Sequence, residues 1–277
     1  MCSLSWFKDN DKLVIYFSRD EMNSRSRARL PEIVSYSNAQ VIMPIDPDAG
    51  GSWLSVNQRG VFIGLLNAYP KIAKNQACSQ LSHLTKSTSG PTSILKVSRG
   101  KIVKDLAATS NLQEVHNYFL DQDLNQFKPF TFIFINHLQQ WQFCWDSQQL
   151  EILALPQFIS SSSWSNGAVV SYRQQQFNQL KSIGRDELLA FHQCHHATDQ
   201  AFSLCMHRDD AKTVSLSEIR LTDLNVSYRY WDGSPCGVKP SKPIHLSRRK
   251  PAAVSSFIPD TKSNQQKTKN RRAELIV

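Results

Sequence analysis

A cysteine stands second in the chain, directly after Met1. Cysteine is small enough for an aminopeptidase to remove the preceding methionine, and that removal leaves a thiol and a free α-amine on one carbon. An α-amine titrates near about 7.7–8.0 and a free thiol near about 8.5, so the amine can take the thiol's proton at neutral pH. One residue then supplies both nucleophile and general base. The quartet Ser18-Arg19-Asp20-Glu21 follows the apolar run at 12–17. An arginine beside a thiol favours the thiolate, and a carboxylate can hold a terminal ammonium. Read alone, such a quartet is ordinarily a surface ion cluster. Asn67 closes a second apolar run, where its amide can donate to a developing oxyanion or simply turn the strand into the next loop.

A second group of reactive side chains lies later: His192, Cys194, His195 and His196, then Cys205 and His207. The spacing of His192 and His196 resembles a zinc-protease pair, but Gln193 stands where that motif has glutamate. Leu188, Phe191, His192 and His195 fall on one face of a helix, so a partly buried helix side is the simpler account. No metal is assigned. Axial ligation of haem by one of these histidines stays open on chemical grounds.

The elements that must carry these residues are legible in outline. Residues 12–17 read as a strand after the polar turn at 9–11. Residues 53–56 and 61–66 flank a short loop ending in Gly60, a hairpin signal, while Gly50 and Gly51 suit a tight turn or a close backbone approach. A helix is expected from Ser98 onward, and another where Ser110 and Gln113 form a capping box. Strand-like runs follow at 130–135, 140–145 and 149–155, then helical stretches at 168–181 and 185–195. Further strands are expected near 202–206, 212–220 and 226–231. Strands, two helices, strands, two helices, strands is the order of an α+β layered domain with antiparallel sheets.

The chain has 277 residues, 40% hydrophobic and 20% charged, with a net charge of +9. This composition excludes fibrous, fully disordered and polytopic membrane classes. No apolar run approaches the roughly 20 residues of a spanning helix, and charges at Lys8, Asp9 and Asp11 interrupt any leader-like segment, so a cytoplasmic protein is the expectation. Residues 238–277 hold ten basic and two acidic residues, which leaves only +1 for the rest. The expected division is therefore a folded unit over 1–236 and a basic, disordered tail over 237–277, and deletion of residues 240–277 is expected to leave the fold intact. Without interleaved aromatics the tail offers no stacking platform for bases, and no specific nucleic-acid partner is assigned. Six scattered cysteines with no CxxC pair read as free thiols.

Met1-Cys2-Ser3-Leu4, the 18–21 quartet, the stretch 49–60 with its Leu65-Leu66-Asn67 ending, Ser98-Arg99-Gly100, Pro129-Phe130, Trp145-Asp146, the serine run 160–163, Phe191-His192 and His207-Arg208 occur in one order. Together they resemble the NRDE family, that of the Transport and Golgi Organization protein 2, over most of residues 1–235. The resemblance implies an N-terminal-nucleophile hydrolase fold of four layers, αββα, with two antiparallel sheets. It is similar to the superfamily of penicillin V acylases and bile salt hydrolases. It makes Cys2 the nucleophile flanked by Arg19 and Asp20, Asn67 one oxyanion donor, and Arg208 a late active-site arginine. Two departures stand out. Ser18 replaces the name-giving asparagine, and the second oxyanion asparagine gives way to the serine run, with Asn166 nearby.

Two function classes follow from the resemblance. One is a cysteine amidohydrolase cleaving a C–N bond of an unidentified small-molecule amide, needing no cofactor. The other is a non-catalytic protein that binds or traffics haem or lipid in the same cleft.

Overall fold

Alternation along one strand organises the molecule. In β2 (Lys12–Met22), Leu13, Ile15 and Phe17 join one apolar cluster and Val14 and Tyr16 join another. The strand is thus buried on both faces, which explains its nearly unbroken buried run. β1 (Cys2–Asp9) pairs antiparallel with β2 from Cys2↔Arg19 to Asp9↔Lys12. The hairpin turns at Asn10, which accepts a positive φ of 48°. The described residues are 1–36, 38–69, 97–249 and 257–259 of a computed structural model.

Around that hairpin the first sheet runs β10 (Phe158–Ser161), β1, β2, β11 (Ala211–Leu221), β12 (Asn225–Trp231) and β13 (Ile244–Ser247), in that spatial order. The second is a meander in sequence order: β3 (Arg29–Tyr36), β4 (Ala39–Ile45), β5 (Leu54–Asn57), β6 (Phe62–Asn67), β7 (Phe130–Ile135), β8 (Gln140–Trp145) and β9 (Leu150–Ala154). Every pairing is antiparallel. The sheets stack face to face through Leu4, Ile15 and Phe17 on one side and Val56, Phe62 and Ile133 on the other. α1 (Gly100–Asp105) and α2 (Leu112–Asp121) cover the outer face of the second sheet, where Val103, Val115 and Phe119 meet Phe132 and Phe143. α3 (Asn166–Asn178) and α4 (Arg185–Gln193) cover the first, with Phe177, Leu188 and Phe191 against Tyr16 and Phe158. This is the expected four-layer arrangement of two antiparallel sheets between helices.

Three expectations are corrected. The capping box of α2 sits one residue late: Asn111 accepts from Glu114 N at 2.9 Å, and the Glu114 carboxylate returns to Ser110 N. Residues 202–206 are not a strand. A 3₁₀ turn at Gln200–Phe202 leads into a loop whose carbonyls at Ala201, Phe202 and Ser203 accept from Arg173, so they are unavailable to a ladder.

The third correction is the boundary at residue 236. β13 completes the edge of the first sheet by pairing with residues 225–228 of β12, and Leu246 is buried in the inter-sheet core. Beyond it, the Arg248 guanidinium donates to the carbonyls of Thr222 and Arg59, tying this edge to the β5–β6 turn. Phe257 then packs against the cluster between the second sheet and its helices, edge-on to His116 of α2, and Gln139 donates to its carbonyl. The alternation Ile244-His245-Leu246 is a strand signal that the surrounding basic residues obscure. Residues 250–256 and 260–277 of the expected tail lie outside the described residues.

Leu246→Ala should lower the unfolding free energy by about 2–5 kcal/mol, the range for removing a buried leucine side chain. Urea unfolding monitored by tryptophan fluorescence measures this, and an unchanged midpoint would return residues 244–247 to a solvated tail.

Candidate active site

The ladder end that joins β1 to β2 opens on a cavity of about 170 Å³ lined by Cys2, Arg19, Asp20 and Asn67, with Trp53 and Arg99 from the second-sheet side. The far wall depends on two glycines. A Cβ on Gly51 would lie 2.7 Å from the Gly100 carbonyl carbon, and one on Gly100 would lie 2.9 Å from Ser52 N. Only glycines let these backbones meet, and their contact sets Trp53 and Arg99 side by side. Met1 is also part of the wall. Its α-ammonium donates to Asp20 O at 3.0 Å and its carbonyl accepts from Asp20 N at 2.8 Å, so the ladder runs one residue past Cys2.

Cys2 lies between two strands, opposite Arg19 of β2 and Ser161 of β10. Its backbone N donates to Ser161 Oγ at 3.3 Å. The thiol is buried, and burial is the main reason it is pushed up to about 11. The nearby α-ammonium acts the other way, Asp20 adds to the rise, and Arg19 opposes it. Arg19 is weak in this role because it is already engaged. It bonds Glu21 at 3.1 Å, approaches Asp46 at 3.8 Å and lies over the Trp53 ring at 4.3 Å. With Met1 in place the thiol is therefore held in its protonated form at neutral pH.

Asp20 points to the opposite face of β2 from Arg19, towards the helices. Its Oδ1 accepts from Thr213 Oγ1 at 2.6 Å, while Oδ2 has no hydrogen-bond partner among the described residues. Oδ2 lies 3.7 Å from Arg173, and both side chains are at most 1% exposed. Arg173 also donates to Ser3, Ser160 and the carbonyls of Ala201, Phe202 and Ser203. Sequence reasoning missed Arg173. Its signal is helical: Val169, Arg173 and Phe177 are the buried stripe of an otherwise polar α3.

Asn67 ends β6 opposite Phe130 and is hydrogen-bonded to the Tyr69 side chain. It is shared with an adjoining cavity of about 290 Å³, whose apolar side is made by Leu66, Phe158, Ile159 and Val170. Arg208 is not brought to either cavity. Its loop is held by Arg208 N donating to Ala211 O, and the guanidinium stacks 4.6 Å over Trp164 and pairs with Asp210. Of the serine run, Ser161 stands directly at Cys2, and Ser160 serves Arg173. Asn166 opens α3.

The family model described as Transport and Golgi organisation 2 matches residues 1–226. The chain belongs to this family. No curated protein matches it in sequence. Among solved structures, a Caenorhabditis elegans N-acylethanolamine-hydrolyzing acid amidase ortholog superposes with a TM-score of 0.52 at 9% identity, covering 79% of this chain and 92% of that one. A conjugated bile acid hydrolase from Clostridium perfringens gives 0.43 at 12% identity, covering 94% and 100%. The first likeness gives this family member an N-terminal-nucleophile hydrolase-like fold. No described helix is long and apolar enough to cross a membrane.

In this member of the family the position after Phe17 is a serine with a structural task. Ser18 Oγ bonds His192 Nδ1 at 2.7 Å and Ser5 Oγ bonds Nε2 at 2.9 Å, which fastens α4 to the first sheet. Both nitrogens of the buried ring are thereby engaged. His196 is separate, its Nδ1 accepting from the amides of Thr198 and Asp199. His195 lies past the end of α4 and is exposed, so the expected shared helical face stops at His192.

Burial, reinforced by Arg173, pushes His192 down from 6.5 to about 3. As pH falls below 6.5 the unfolded chain takes up this proton and the folded chain does not. The stability held by the neutral ring is complete above pH 6.5 and is lost progressively towards about 3. His192→Gln should therefore flatten the fall of unfolding free energy between pH 6 and 4 by about 1.4 kcal/mol per pH unit. Urea titrations of both proteins across that window measure it, and parallel slopes would contradict the assignment. Separately, Arg173→Met should cost about 3–5 kcal/mol by stranding Asp20. Adding Asp20→Asn should recover part of the loss, and a double variant no better than the single would refute the pairing.

Proposed function

We propose that the protein is an N-terminal cysteine hydrolase that cleaves a C–N amide bond once Met1 has been removed. The observation that carries this is the convergence of Cys2, Arg19, Asp20 and Asn67 on one cavity with Met1 in its wall. A cavity of about 170 Å³ is below the range of about 300–1,000 Å³ usual for small-molecule sites. Loss of Met1 enlarges it and turns the Cys2 nitrogen into an α-amine beside Ser161.

One buried group of the cavity wall fits the reaction. Trp53 Nε1 is a buried donor without a hydrogen-bond partner among the described residues, suited to a carbonyl oxygen, while Asp20 Oδ2 faces Arg173 on the helix side of β2 and so holds its own strand rather than the substrate. In the proposed sequence the Cys2 amine takes the thiol proton and sulfur attacks the amide carbon. Asn67 donates to the oxyanion, and the ammonium returns its proton to the leaving amine as the C–N bond breaks. Water, deprotonated by the same amine, then hydrolyses the thioester. The apolar cavity that shares Asn67 suits the acyl side of the substrate.

That same apolar cavity favours a second reading, in which the cleft carries a lipid without cleaving it. Haem is less well served by His192, because both its nitrogens are already bonded.

Two measurements test the proposal. Limiting iodoacetamide with peptide mapping should label Cys2 slowly while Met1 is retained, and faster than Cys144, Cys194 or Cys236 once it is removed. Cys2→Ala should abolish turnover of any amide found in an acyl-amide panel while leaving binding within a few-fold. Turnover that survives Cys2→Ala would refute the mechanism, and tight lipid binding with no turnover would give the cleft to a carrier.

A further inference from the structure

Four side chains from three separate loops, none of them in the cavity wall, meet at one place. His195 follows α4, Cys205 and His207 follow the 3₁₀ turn, and Cys236 follows β12. One ligand atom from each lies within 4.8 Å of all the others. Cys205 Sγ and His207 Nε2 are 3.6 Å apart, and His207 Nε2 and Cys236 Sγ are 3.2 Å apart. The rings of His195 and His207 have centroids 5.2 Å apart. None of these residues takes part in the hydrolase site.

These separations are those of a coordination tetrahedron. With Zn–N bonds of about 2.0–2.1 Å and Zn–S bonds of about 2.3 Å, adjacent ligand atoms stand roughly 3.5 Å apart. Two edges are already near that length, and the remaining ones close by small side-chain movements. Two thiolates and two imidazoles form the donor set that suits zinc better than hard-ligand cations. All four positions are filled by protein, which is the pattern of a structural site rather than a catalytic one.

We propose that His195, Cys205, His207 and Cys236 bind one Zn²⁺ and clip the loop after α4 to the turn after β12. Binding displaces the two thiol protons, no electron is transferred, and the filled site is neutral. The clip lies directly behind Asp20. Met206, between two ligands, donates its N–H to Thr213 Oγ1 at 2.8 Å and accepts from Thr213 N at 2.9 Å. Ser234, two residues before Cys236, donates to Thr213 O at 2.8 Å. Thr213 in turn donates to Asp20 Oδ1. Zinc therefore holds both loops that fix the threonine on which Asp20 rests. Cys205 is buried while the other three ligands are exposed, so the ion enters from solvent.

The test uses the full chain, reduced and freed of metal, titrated with Zn²⁺ against a chromophoric chelator and separately with Co²⁺. One zinc per chain is expected, with thiolate-to-cobalt charge transfer and the visible bands of a tetrahedral ion. His207→Gln and Cys236→Ser, both at exposed positions, should weaken zinc binding at least about 100-fold. Cys2→Ala should bind as the parent does, and its unchanged uptake separates this site from the hydrolase cavity. Uptake of no zinc by the reduced chain would overturn the proposal. So would stoichiometric zinc retained by both ligand variants, or a Cys205–Cys236 disulfide persisting under reducing conditions.

Discussion

A single ion pair without access to water, Arg173 with Asp20, governs how this molecule is put together. Burying two charges is costly, and the pair is tolerable only because nearly every remaining polar atom is answered. Arg173 meets two hydroxyls and three carbonyls. Those groups come from β1, β10 and the loop after α4, so the guanidinium fixes three segments against α3 at once. The helix-facing side of β1 and β2 is accordingly lined with small hydroxyls: Ser3, Ser5 and Ser18. Larger apolar residues there would exclude Arg173 and His192. The partner carboxylate, next in sequence to the residue opposite Cys2, keeps one oxygen without a hydrogen bond among the described residues, facing the guanidinium alone.

The sequence disclosed the part of the site that lies on continuous motifs and hid the part that arises from packing. Cys2, Arg19, Asp20 and Asn67 sit at strand ends with distinctive neighbours, and all four line one cavity. Arg173 was hidden in a glutamine-rich helix, where only its register with Val169 and Phe177 marks it as inward. Arg208 had the right order in the chain, but the short connection to Ala211 turns it towards Trp164. The four ligand-type residues of the zinc proposal show no motif spacing because three loops deliver them.

Fold class was readable from the succession of elements, whereas two kinds of strand were not. β1 mixes serines with apolar residues because one of its faces meets the polar helix layer, which blurs the alternation. β13 is four residues long and lies among lysines and arginines. Its charge signalled a solvated tail, yet Arg248 is spent on two backbone carbonyls and burial pushes that guanidinium down. Net charge describes the field around a chain and does not locate the end of its fold.

Arg248 has a mechanical consequence. It bridges the sheets near the Leu13 end of β2, whereas Cys2 and Arg19 lie towards the other end of the same strand. At the clamped end a guanidinium is shared between backbone carbonyls. At the far end the sheets are spanned by a cation over an indole and by carboxylates that an incoming ligand can displace. The two ends of the sandwich are therefore held by different chemistry: a guanidinium on backbone carbonyls at one end, and side-chain pairs exchangeable with a ligand's own charges at the end where the Cys2 thiol sits.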